Sequence, residues 1–489
     1  MRMRGPRRRP IKESWPASSI LGSAGSRLGI ALAVIAVLWG GVLWVSLTPP
    51  REAPPPPAAS EASSVAGKGR SPEPQPAAPV PQQVGLRALT VTGEAVGLKG
   101  SFDRFGLDLL TMVLATNNRG ETAFYSTLRR SQAEEGMFLA QADGKIVPIA
   151  VTGDPVADQA GQLIAGFGDH PGPSMSDDGS VAFIATLGGG RGAAGVFLAN
   201  GGSLRTIAAT GTKAPVILGG IGVFAGFEAV SIDNSGDVAF LALVQHGRET
   251  VEAVYVARRV GAVHQLEKIA ASGEPAPGGG FYIGFGSPVV NNQGAIAFPA
   301  VVKLGPAFGG IFVAPAGGSA HLLLGTGDPA PTGGIFARFS ERIGFDDSGR
   351  VAFAAFINGS GPDFGIFVAD GAERRAVAAR GQAAPGGGRY ESFGAWPAIS
   401  HNGELAFVAA TDRGQGFDGV FRMDATGKVT RVVTPGDTLM DGGKLNSLGL
   451  YPTVAIASDG AVGLLGIVTR DGEQLYAVLR YGLAPIHRP

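Results

Sequence analysis

The chain has 489 residues, 40 acidic and 40 basic side chains, and no cysteine. That balance excludes a domain built around a basic nucleic-acid-binding face, and the missing cysteines exclude disulfides, thiolate catalysis and Cys-ligated metal centres. Charged residues make up only 16% against about 25% in typical domains, and 78 glycines point to a chain with many tight turns.

Residues 1–27 read as a basic cytoplasmic tail, with Arg2, Arg4, Arg7, Arg8, Arg9, Lys12 and Arg27 against Glu13 alone. From Leu28 to Leu47 follow twenty uncharged residues, LGIALAVIAVLWGGVLWVSL. As a helix they are about 30 Å long, one hydrocarbon thickness, so a transmembrane helix is expected here. Trp44 suits the interface, and the positive-inside rule places the remaining chain outside the cytoplasm. A cleaved signal peptide is the competing assignment. Its apolar core usually runs about 7–15 residues to a small-residue site. This segment is longer and residues 48–57 are poor cleavage context, so an uncleaved signal anchor is expected.

Residues 48–84 hold eleven prolines and few large apolar side chains. Such a segment cannot build a core and reads as a disordered, Pro/Ala-rich linker. Fully extended, it would reach on the order of 100 Å at about 3.1 Å per residue.

From residue 85 onward the sequence repeats. The form [N/D/S]-x-x-G-x-x-A-F occurs at 117–124 (NNRGETAF), 176–183 (SDDGSVAF), 233–240 (DNSGDVAF), 291–298 (NNQGAIAF), 346–353 (DDSGRVAF) and 400–407 (SHNGELAF), with a worn copy at 457–464 (ASDGAVGL). The motif glycines are 59, 57, 58, 55, 54 and 57 residues apart. Asn, Asp or Ser at the first position can bond backbone N–H groups just ahead, and glycine tolerates the positive φ that a tight hairpin turn needs. Each copy therefore predicts a turn opening into a strand. Where that strand is apolar at every position, as at 181–185 and 351–355, it is expected to be covered on both faces.

Two further modules keep the same period. One is a strand after the motif, such as GVFLA at 195–199 and GIFVA at 310–314 and 365–369. The other is a strand ending in a Gly-acid-Pro-like turn, with Asp154, Glu274, Asp328 and Asp437 at the acid position. With the segment before each motif this makes about four strands per unit. Seven such units predict an all-β fold, a seven-bladed β-propeller over residues 85–482 with a short tail at 483–489. The ends also complement each other. The first unit opens with an unpaired Thr-Gly-acid strand at 86–91, ending before Glu94. The last lacks that module after its strand at 475–479. Pairing these two would close the ring and remove open sheet edges.

The repeat resembles the bacterial tandem-repeat proteins named for the NxxGxxAF motif, a "choice-of-anchor" family. The resemblance runs from Leu86 to Leu479; Asp or Ser replaces Asn in four copies, and the seventh carries Ala457, Gly463 and Leu464. It implies an exported, surface-associated β-repeat protein, and no activity or catalytic residue comes with it.

The search for chemistry nominates no catalytic, cofactor-binding or metal-binding residue. The six histidines, His170, His246, His264, His321, His401 and His487, lack metal-ligand spacing. The Asp177-Asp178 and Asp346-Asp347 pairs fall short of a calcium loop and read as turn caps. Glu94, Asp154, Glu274, Asp328 and Asp437, with Thr212 and Gln382 breaking the series, could form a rim that binds cations or sugars. The same residues also suit solvated turns. The expected function is a membrane-anchored, extracytoplasmic binding or scaffolding module at the bacterial cell envelope, with a protein or glycan partner. The alternative is a propeller hydrolase or lyase acting on glycans. Acids, His or Tyr that break the symmetry and converge at one mouth of the channel would favour the enzyme; symmetric Gly/Pro/Ala loops would favour the scaffold.

Overall fold

The computed structural model describes residues 84–97, 100–106, 111–159, 161–188, 193–217 and 219–483. The basic tail, the apolar segment from Leu28 to Leu47 and nearly all of the linker lie outside these residues. Among the described residues no helix is long and apolar enough to cross a membrane, and every regular element is a strand.

The strands form seven antiparallel sheets, the blades of a propeller. In blade 5 the outer strand Glu373–Ala379 pairs with Phe364–Asp370, and that strand with Val351–Asn358. The innermost strand comes in two pieces, Ile335–Phe339 and Gly344–Phe345, both paired with Val351–Asn358. The repeat predicts one strand segment before each motif. In six of the seven blades a short loop instead interrupts it; in five the loop holds a Gly or Pro that cannot continue the ladder, and in blade 5 it is residues 340–343. The inner strands touch all the way round: Leu114–Thr116, Ser174–Met175, Gly220–Ile232, Val289–Val290, Gly344–Phe345, Ala398–Ile399, Val454–Ile456 and back to Leu114–Thr116.

Closure follows the complementarity of the ends. Val84–Val91 is the outer strand of blade 7 and runs antiparallel to Glu473–Leu483, with Val84 opposite Leu483 and Val91 opposite Ala477. The chain's first described strand thus completes its last blade and leaves no open gap in the ring.

The core lies between blades. Strand Val181–Leu187 sends Val181, Phe183, Ala185 and Leu187 into the cluster shared with blade 1, and Ala182 and Ile184 into the one shared with blade 3. Period-2 alternation feeds two cores at once, which is why the strand is apolar throughout. The motif phenylalanine is the centre of each blade. Phe183 stands opposite Phe197, Phe298 opposite Phe312 and Phe353 opposite Phe367, stacked at centroid distances of 5.7, 5.7 and 5.8 Å. The worn seventh copy keeps the register with Leu464 opposite Leu479. The glycine that opens the next strand is sterically required: a Cβ on Gly195 would lie 2.7 Å from the Phe197 ring.

Candidate functional site

Seven equivalent inner strands create an axis, and its two ends differ. At one end stand the seven motif turns. The motif glycines hold φ between +72° and +91°, and first-position side chains cap their own turns. Asn291 Oδ1 accepts from the Gln293 and Ala295 N–H groups at 3.1 and 3.0 Å, and Asp346 Oδ1 from Ser348 and Arg350 at 3.0 and 2.8 Å. Where the first residue is Ser176 or Ala457, the third takes over, Asp178 capping Ser180 and Asp459 capping Ala461.

The second motif position ties most blades to the next, and the third, Asn402, ties blade 6 to blade 7. The backbone N–H of Asn118 donates to Asp177, that of Asp177 to Asn234, that of Asn234 to Asn292, and that of Asn292 to Asp347. Asp347 N–H donates to the His401 carbonyl, Asn402 Nδ2 to the Ser458 carbonyl, and Ser458 N–H to Asn118 Oδ1. The Asp177-Asp178 and Asp346-Asp347 pairs are spent on this ring and on turn caps. Among the described residues no group of three or more His, Asp or Glu is arranged to hold a metal.

The Gly-acid turns join one blade's outer strand to the next blade, and the strand alternation puts them on the opposite face. Their acids are also spent locally: Asp154, Glu274, Asp328 and Asp437 accept from the backbone N–H groups of Val151, Ala271, Gly325 and Thr434, and Gln382 does the same for Ala379. Thr212 donates to Ala209 O, and Glu94 accepts from Thr90 Oγ1. The series forms solvated turn caps and no converging rim.

Symmetry breaks at the other end of the inner strands, in the loops that interrupt them and, in blade 3, within the unbroken strand Gly220–Ile232. The repeat there yields His170 in blade 2, Glu228 in blade 3, Ser287 in blade 4, Glu341 and Arg342 in blade 5, Trp396 in blade 6 and Tyr451 in blade 7. Arg342 reaches across the axis: its Nη2 donates to Thr111 Oγ1 of blade 1 at 3.0 Å, and its guanidinium stands 5.0 Å from the Trp396 ring centroid. Trp396 Nε1–H points to Met112 Sδ at 3.2 Å. The Ser287 N–H donates to the Glu341 carbonyl at 2.8 Å, bringing the loops of blades 4 and 5 together.

Burial and like charge shape the titration of this end. Burial pushes the Glu228 carboxyl up to about 7, helped by Glu252 and Glu341. Glu341 is raised by burial against the pull of Arg342 and Arg338. Burial lowers Arg342 to about 10. Burial and then Arg342 lower His170, with Asp169 opposing.

Along the axis lies a cavity of about 210 Å³. It is walled by the inner strands of all seven blades, with Arg342 and Trp396 before those strands and His401 after them. The lining is mostly small or apolar; among the described residues Arg342 and His401 are its ionisable side chains, and none is a carboxylate. Sequence reasoning missed Glu228, Arg342 and Trp396. The available signal was the loss of self-similarity in the few residues before each motif, where GDHPGP, GFEAV, GFGSP, SERIG and GAWPA do not align in chemistry.

Residues 116–438 match a family of unknown function, DUF7453. The chain belongs to this family. Comparison with curated proteins finds no match. Among solved structures the chain is similar to the β-propeller domain of the Trilobed protease from Pyrococcus furiosus, at 10% identity and TM-score 0.45, covering 77% of this chain and 98% of that one. It is similar to Pyrococcus horikoshii acylaminoacyl peptidase at 12% identity and TM-score 0.42, covering 74% and 51%, and so spans about half of that peptidase. A gluconolactonase from Xanthomonas campestris follows at 15% identity and TM-score 0.32, covering 66% and 89%. These likenesses carry no argument on activity.

Proposed function

We propose that this chain is a binding module, held at the bacterial cell envelope by the apolar segment from Leu28 to Leu47 and presenting its propeller outside the cytoplasm. The observation that carries the binding half is the axial cavity, walled by the inner strands of all seven blades and with no carboxylate among its described lining residues. The envelope half rests on the sequence, from the basic tail and the twenty uncharged residues that follow it.

A second reading is favoured by the residues that break the symmetry at one end of the axis, His170, Glu228, Glu341 and Tyr451. Glu228, pushed up to about 7 beside Glu341, has the character of a general acid, and a glycan hydrolase would place it at the Glu341 end of the axis. Incubating the full chain in nanodiscs with a panel of envelope polysaccharides separates the two. Retention without turnover is expected. Turnover that disappears in Glu228→Gln would replace the binding reading with the hydrolase.

The envelope placement has its own test. The chain has no cysteine, so Glu373→Cys, at an exposed strand end, gives a background-free label. A membrane-impermeant maleimide should modify it in spheroplasts without lysis. Labelling only after lysis would put the propeller in the cytoplasm.

A further inference from the structure

We propose that the axial cavity binds a small organic carboxylate, with Arg342 as its anchor. This deepens the binding reading above and rests on it.

The argument starts from an imbalance. A guanidinium carries five N–H donors in a planar fork. Among the described residues Arg342 makes one side-chain hydrogen bond, to the neutral Thr111 hydroxyl, and the opposite charge acting on it is that of the neighbouring Glu341. It is half-buried, and it lines the cavity. Most of the fork's donors are therefore left without an acceptor, and donors held away from water favour a ligand that accepts from them. Among the other cavity-lining groups Thr116, Ser174, Ser231 and Ser287 are neutral, and Ser174 and Ser231 accept from the backbone N–H groups of Ile232 and Val290.

Arg342 is also held in position. The Trp396 ring lies against its guanidinium, and Met112 fixes the indole N–H. A planar fork held by stacking is pre-organised for a planar, bidentate oxyanion. One positive charge in a small, mostly apolar cavity matches a monoanion. A phosphomonoester, at about −1.5 to −2, would bury uncompensated negative charge. The cavity of about 210 Å³ has room for a small organic molecule and opens to solvent. The serines and Thr116 offer hydroxyl groups to a polar ligand, and Pro173, Pro288 and Pro397 keep the wall stiff.

Trp396 provides the readout. The other tryptophans, Trp15, Trp39 and Trp44, lie in the N-terminal segment, so the full chain with W15F, W39F and W44F reports from the cavity alone. Titration with D-glucuronate should change the Trp396 emission saturably, and D-glucose, which lacks the carboxylate, should not. R342Q should weaken the response at least tenfold, while R342K, keeping the charge without the fork, should weaken it less. The proposal fails if glucuronate, galacturonate and succinate all leave the emission of the unmutated cavity unchanged. It fails equally if glucose matches glucuronate, if folded R342Q binds as well as the parent, or if inorganic phosphate alone saturates. Failure here with polysaccharide retention intact would leave the binding reading standing at another surface.

Discussion

Asp233 shows how much a single atom decides at the residue scale. Its Oδ1 caps the Ser235 and Asp237 N–H groups at 2.9 and 2.8 Å, as Asn117 and Asn291 do in their own copies. Those asparagines turn their amide to the next blade, donating to the Ser176 and Asp346 carbonyls at 3.2 and 2.9 Å. Asp233 places a carboxylate oxygen in the same role, 1% exposed as a residue and without a partner. Burial raises its carboxyl to about 6 from an ordinary 3.8. A raised carboxyl contributes its full stability below the unfolded value and loses it as pH climbs through about 6. At pH 8 the deficit is at most about 3 kcal/mol, at about 1.4 kcal/mol per unit. Asp233→Asn should therefore raise the urea midpoint at pH 8 and leave it nearly unchanged at pH 4. Equal midpoints at both values would show that the carboxylate is satisfied.

At the scale of the element, the blade is a stack of aromatic rings on a hairpin. Phe353 packs on Phe367 at 5.8 Å and meets Phe336 edge-on at 5.7 Å. Phe353→Ala should cost roughly 3–5 kcal/mol, as for other fully buried phenylalanines. Phe353→Leu should cost about 1 to 1.5 kcal/mol, since blade 7 works with Leu464 opposite Leu479 in the same register. Denaturant midpoints of the two variants test this; equal losses would mean that ring shape, and not buried volume, sets the blade's stability.

For the whole molecule, the decisive interaction joins residues almost 400 positions apart. Val84 and Leu483 face each other across the closing pair of strands and both are exposed, so cysteines there would be accessible to oxidation. Linking them would constrain the unfolded chain through a very long loop, worth on the order of 4 kcal/mol or more in the entropic account. The V84C/L483C chain should melt higher when oxidised than when reduced, with no such difference in V84C alone. A redox-insensitive melting temperature would mean that the closing strand separates only after the other blades have lost their structure.

The amino-acid sequence by itself determined the repeating unit, its period and the number of units, because turn chemistry and two-sided apolar strands are local properties that one motif repeats seven times; the split inner strands came only with the structure. It also made the closure legible, since the missing outer strand of the last unit stands unpaired at the start of the first. The second motif position, Asn118, Asp177, Asn234, Asn292 and Asp347, passed as a variable residue, because its partner lies one blade away, some 55–59 residues on. Arg342 and Trp396 were harder still: they sit in the loops where the repeat stops repeating, and Arg342 meets Thr111 across the axis over a separation of 231 residues. Only the closed ring puts those side chains in one place, because an axis exists only once the seventh blade has met the first.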